Sequence, residues 1–148
     1  MNSSEKLKLI LLPGLDGTGK LFAPFVANLP PSIEPIVIQY PMNKYFTLNE
    51  YSNFVESHLP EGNFALLAES FSGLVALQLL PKISSRLSCL FFANTFARSP
   101  IPYFLRLFSY IPFLSFFSAF LPNWAIRAFC LGTHTSKEDC IWLRSVLK

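Results

Sequence analysis

Histidine, cysteine and charge are all scarce in this 148-residue chain. Two histidines and three cysteines leave little from which to build a metal centre. Cys89, Cys130 and Cys140 match no ligand spacing, so no metal is expected. Their neighbours are apolar (Leu90 and Phe91, Phe129 and Leu131, Ile141 and Trp142), which suits buried, reduced thiols. Charged residues make up 14% of the chain against 51% hydrophobic, which excludes a disordered tail. The net charge of +3 comes without a Lys/Arg run or basic stripe, so no nucleic-acid partner is expected. A signal peptide is missing too: the apolar run Leu9 to Leu12 stops at Pro13-Gly14 and reads as a strand. A cytoplasmic location is the expectation. No internal repeat is present.

What is present is an alternation of two textures. Lys8–Leu12 is a short apolar run of the kind a doubly buried strand carries. A Gly-rich turn follows, Gly14-Leu15-Asp16-Gly17-Thr18-Gly19. Leu21, Phe22, Phe25, Val26 and Leu29 then recur at helical spacing up to Pro30-Pro31. Pro35–Tyr40 reads as a second buried strand. Thr47 with Glu50 forms a capping box for a helix whose apolar face is Leu48, Tyr51, Phe54, Val55 and Leu59. Asn63–Ala68 is a third strand and Glu69–Gly73 a sharp connection. Gly73–Leu80 is a small-and-aliphatic helix that extends through Ile83. Leu87–Asn94 is a fourth strand. Such a β-α-β-α-β-α-β order predicts an α/β fold: a parallel sheet with helices on both faces, over residues 1–98.

The texture changes at Ser99. From Ser99 to Ile126 the only charged side chain is Arg106, and Pro100, Pro102, Pro112 and Pro122 cut the stretch into short helical pieces. Ile101–Leu121 is long enough to raise the question of a membrane span, but Arg106 and Pro112 inside it argue against one. Residues 99–148 therefore read as a helical cap or lid, ending in an amphipathic helix that starts near Thr135 or Ser136. Membrane association is not favoured.

The strongest local signal is Leu66-Leu67-Ala68-Glu69-Ser70-Phe71-Ser72-Gly73. A buried strand runs into a turn with small residues two before and two after Ser70, then into a helix. This is the nucleophile-elbow pattern, with Ala68 and Ser72 where glycine is usual. Its demand is steric, because the flanking residues must let two backbones approach. The turn lifts the Ser70 hydroxyl above the sheet and puts the Phe71 N–H at a helix start, ready to donate to an oxyanion. The alternative for this window is a plain helix cap made by Ser72. The loop after the first strand, Gly14 to Gly19, supplies inward-facing N–H groups. It is not a phosphate loop, because Leu21 stands where a hydroxyl is needed. A dinucleotide fingerprint fails on glycine spacing.

The two motifs, in this order and about 55 residues apart, resemble those of the α/β-hydrolase fold superfamily, its esterase, lipase and acyltransferase members included. The resemblance covers residues 7–98, with a cap after it. It implies that Ser70 is the nucleophile, that the N–H groups of Leu15 and Phe71 are the oxyanion donors, and that no cofactor is needed. Gly14, Asp16 and Gly17 would support the oxyanion loop, with Asp16 bonding turn N–H groups. Ala68, Ser72 and Gly73 would give the elbow its close packing. The implied chemistry is hydrolysis of a hydrophobic small-molecule ester, or acyl transfer on the same fold. Phe104 and Phe108 would line an acyl pocket, or form cap core.

A serine nucleophile needs a base and an orienting acid. The family's order along the chain is Ser, acid, His. Downstream of Ser70 the acids are Glu138 and Asp139 and the histidine is His134, which precedes them both. His58 lies upstream at a helix end. Neither histidine fits, and the strands that would carry the acid and base are missing. The expectation is therefore an N-terminal portion of a longer enzyme, inactive alone, or a non-catalytic module of the same fold. It should leave a sheet edge exposed. Glu69 is expected to point into packing or solvent. Oligomeric state is not legible.

Overall fold

Four apolar runs pair in parallel: β1 (Leu7–Leu12), β2 (Ile33–Val37), β3 (Phe64–Glu69) and β4 (Leu87–Ala93), in the spatial order β2-β1-β3-β4. The computed structural model describes residues 6–14, 16–41, 44, 46–97, 138 and 141. Backbone contacts divide the chain into Met1–Arg98 and Ser99–Lys148, and the sheet belongs to the first unit. Leu15, Phe104, Phe108, Cys130, His134 and Cys140 lie outside the described residues, as do the Ile101–Leu121 stretch and the expected cap helices. Among the described residues no helix is long and apolar enough to cross a membrane.

Side chains alternate across β1, so its central strand position feeds two cores. Ile10 and Leu12 join Leu66, Ala68, Val75, Ala76 and Leu79 on one face. Leu9 and Leu11 join Phe22 and Ala65 on the other. The first face is covered by α2 (Leu48–Ser57) and α3 (Ser72–Ile83); the second by α1 (Ala23–Ala27) and the 3-10 turn Lys20–Phe22 before it. Helices thus cover both faces of a parallel sheet.

Helix α2 begins where its sequence says. The Thr47 Oγ1 accepts from the Glu50 N–H, and the Thr47 N–H donates to Glu50 Oε2 at 2.7 Å. Lys82 of α3 reaches Glu56 and Asn53 of α2 at 2.6 and 2.7 Å, but the ion pair is exposed and adds little.

Three elements differ from their sequence patterns. The helix expected from Leu21 to Leu29 is short, because Gly19 holds a left-handed φ of 70° and Pro24 fixes the start of α1. β2 starts earlier and stops at Val37; beyond it the Ile38 N–H donates to Leu11 O and the Tyr40 N–H to Gly17 O, drawing the chain off the sheet. Its Pro35, which has no N–H, is tolerated on this edge strand. β2 is only half-buried for the same reason, not buried on both faces. At the other edge of the described sheet, Phe91 and Phe92 of β4 are each 49% exposed and Cys89 is exposed rather than buried. An apolar run marks a strand, but it does not say which face finds a partner.

Replacing the capping threonine, Thr47→Ala, should lower unfolding stability by about 1 kcal/mol in urea titrations.

Candidate active site

The Ser70 turn is held in a conformation that few serines adopt. Its φ is 52°, in the left-handed region, at a cost of order 1–3 kcal/mol unless the surroundings fix it. They do fix it. The Ser70 N–H donates to Ala93 O at the end of β4, and Ser70 O accepts from the Gly73 N–H, both near 3 Å. α3 starts at Ser72, one residue before the expected Gly73. Since the first donors of its opening turn are Gly73 and Leu74, the Phe71 N–H precedes the helix's own hydrogen bonds.

Small residues permit the turn. Ala68 is wholly buried. At Gly73 a Cβ would stand 2.6 Å from Thr95 Cβ, so the helix start and the segment after β4 touch backbone to side chain. Gly14 plays the same part across the cleft: a Cβ there would stand 3.3 Å from Ser70 Cβ and 3.0 Å from Glu69 Oε2. The loop after β1 therefore lies directly against the Ser70 turn.

Within that loop the Gly17 N–H donates to Gly14 O at 3.1 Å. Asp16, 8% exposed, accepts from the Thr18 N–H and hydroxyl with Oδ2. Its Oδ1 is buried with no partner among the described residues.

Ser72 does not cap α3. Wholly buried, its Oγ donates to Pro13 O and also bonds the Tyr40 hydroxyl at 2.6 Å. Nor does Glu69 point away: it is half-buried, and its Oε2 accepts from the Gly14 N–H at 2.8 Å. Burial raises its carboxyl pKa above the ordinary range; the Gly14 N–H opposes that and the Asp16 charge adds to it. Tyr40 was invisible in the sequence pattern. Its N–H holds Gly17 O, its hydroxyl holds Ser72, and its ring meets Tyr51 and Phe71 edge-on at 4.9 and 6.2 Å. Burial pushes the phenol far above its usual range, so it stays protonated. The only local hint was a lone tyrosine ending an apolar run.

His58 caps the C-terminal end of α2, where Nδ1 bonds Phe54 O at 2.8 Å and the ring stacks on Phe54. That end of α2 leads into the start of β3, and Ser70 follows the end of β3. One strand length, roughly 20 Å, separates them. Among the described residues no three His, Cys, Asp or Glu side chains cluster as metal ligands.

No family model matches this sequence, and no curated protein does. Similar solved structures include an extracellular α/β-hydrolase from a Paenibacillus species, reported to share structural and functional homology with tobacco salicylic acid binding protein 2 (TM-score 0.65, 15% identity, 96% of this chain and 66% of that one). Another is ClbQ from the colibactin NRPS/PKS pathway (TM-score 0.56, 16% identity, 96% of this chain and 64% of that one). The chain spans less than two thirds of either length. At such identities the likeness is one of fold.

Two outcomes follow from the geometry. Gly73→Ala gains about 1 kcal/mol of helix propensity, but the 2.6 Å contact with Thr95 outweighs it, so the urea midpoint should fall. For Glu69 the folded state favours the protonated carboxyl, so ionisation costs stability as pH rises from the ordinary glutamate range through the raised pKa. Glu69→Gln has no such carboxyl. Its stability relative to wild type should grow over that window and level off above it, read from urea midpoints across pH.

Proposed function

From the premise that the chain carries the α/β-hydrolase fold, we propose that it is a serine hydrolase that cleaves a hydrophobic carboxylic ester through an acyl-enzyme on Ser70. The observation that carries this is the left-handed Ser70 at the β3–α3 junction with the Gly14 loop packed against it. A strained residue held by bonds on both sides is what a presented nucleophile requires.

Ser70 Oγ adds to the ester carbonyl carbon while a histidine takes its proton. The tetrahedral oxyanion receives the N–H groups of Phe71 and Leu15. The intermediate collapses, the protonated alcohol leaves, and the acyl group stays on Ser70 until water displaces it by the same route in reverse. The base and its acid are carried by residues other than those described, since His58 stands at the far end of the strand. The Phe-rich stretch after Ser99, with Phe104 and Phe108, supports an apolar acyl group. The functional homology stated for the Paenibacillus hydrolase leaves the substrate of this chain open.

A fluorophosphonate probe tests Ser70 without needing turnover. The expected result is one adduct, mapped by peptide mass spectrometry to Ser70 and lost in Ser70→Ala at unchanged thermal midpoint. No adduct, or one that persists in the variant, overturns the assignment.

A further inference from the structure

We propose that Glu69 and Ser72 together lock the Pro13–Gly14 peptide plane, and that this two-point clamp positions the oxyanion loop against Ser70. The inference rests on the serine-hydrolase proposal above. Pro13 O and the Gly14 N–H belong to one peptide group. Ser72 Oγ donates to its carbonyl and Glu69 Oε2 accepts from its N–H at 2.8 Å.

A trans peptide points these two groups in opposite directions. One hydrogen bond leaves the plane free to rotate about the other end, and glycine at 14 removes the side chain that would resist rotation. Two bonds, one at each pole, remove that freedom. Both come from the turn that carries Ser70: Glu69 precedes it and Ser72 follows by two. The start of the loop is thereby tied to the turn that carries the nucleophile.

The direction of each bond is also set. Pro13 O can only accept, so Ser72 spends its proton there. The Tyr40 hydroxyl must then donate to Ser72 Oγ, and its buried phenol keeps the proton to do so. The Gly14 N–H can only donate, so Glu69 Oε2 accepts from it. The Gly14 N–H is then committed and cannot serve an oxyanion, which leaves that task to the peptide that follows. The Gly17 N–H holds Gly14 O, so the turn that follows is fixed relative to Ser70 only when the Pro13–Gly14 plane before it is held, which makes Glu69 and Ser72 positioning residues.

Two readouts on the 148-residue chain test the clamp: the Gly14 amide proton shift by NMR and the rate of fluorophosphonate labelling at Ser70. Glu69→Ala should move the Gly14 resonance upfield and slow labelling about ten-fold or more. Glu69→Gln keeps an acceptor oxygen, so the shift should move part-way and the rate stay within about three-fold of wild type. Ser72→Ala should slow labelling by a similar factor, although alanine meets the elbow's need for a small residue. If Glu69→Ala fails to fold, Ser72→Ala and Glu69→Gln carry the comparison. In the double variant the two losses should not multiply, since both act on one peptide. An unmoved Gly14 resonance in the Glu69 variants overturns the clamp. A moved resonance with unchanged labelling overturns its positioning role. If wild type carries no adduct at Ser70, the serine-hydrolase proposal fails instead, and the Gly14 shift alone decides whether the clamp exists.

Discussion

The close approach of the loop after β1 to the turn after β3 is the contact on which the rest of this edge depends. Gly14 lies so near Ser70 that a Cβ would crowd both Ser70 and Glu69. Such an approach brings backbone polar groups together away from water, and each then needs a partner. The structure answers with two side chains from the turn after β3 and two backbone N–H groups. Ser72 serves Pro13 O, Glu69 serves the Gly14 N–H, Gly17 serves Gly14 O, and the Tyr40 N–H serves Gly17 O. The small residues at 14, 68 and 73 create the proximity. The polar ones at 40, 69 and 72 make it tolerable.

That arrangement is costly. Ser70 holds a strained backbone, the Glu69 carboxyl is driven toward its neutral form, and Asp16 buries an oxygen with no partner among the described residues. None of these favours folding by itself. The stabilising weight lies in the apolar layers on either face of the sheet, where Ile10, Leu12, Leu66, Val75 and Leu79 are wholly buried, each worth roughly 1.5–3 kcal/mol. A core of that kind can hold a few unfavourable groups in place. Their concentration past the C-terminal ends of the two central strands is the physical reason to look for function there.

Much of the fold is written in local pattern. The alternation of apolar runs and helical spacing gives four parallel strands, and Thr47 with Glu50 marks the start of α2 without ambiguity. Ala68, Ser70 and Gly73 mark the turn, because the steric demand there is local too. Residues whose role depends on a distant partner were not legible. Tyr40 lies 32 positions from Ser72 and Glu69 lies 55 from Gly14, so no window of sequence joins them. Ser72, placed in the elbow as a small residue with a helix cap as the alternative, shows the same limit: Pro13, 59 positions away, takes its proton. Cys89 failed differently, since an apolar neighbourhood in the chain is not an apolar neighbourhood in space.

The strand register explains how the distant pairs come to meet. β1 and β3 pair in parallel with Leu12 opposite Ala68. Continued past the ends of both strands, that register sets Pro13 opposite Glu69 and Gly14 opposite Ser70. Alternation puts Glu69 on the face shared by Ala65 and Leu67, opposite the face of Ala68. A slip of one residue would invert every one of these assignments, moving Leu12 and Leu66 out of their core along with the Gly14 approach. The apolar core and the Ser70 site are therefore fixed by the same pairing. The hydrophobic pattern that selects the register also delivers the loop to the nucleophile, and the polar contacts at 69 and 72 refine a placement that burial has already chosen.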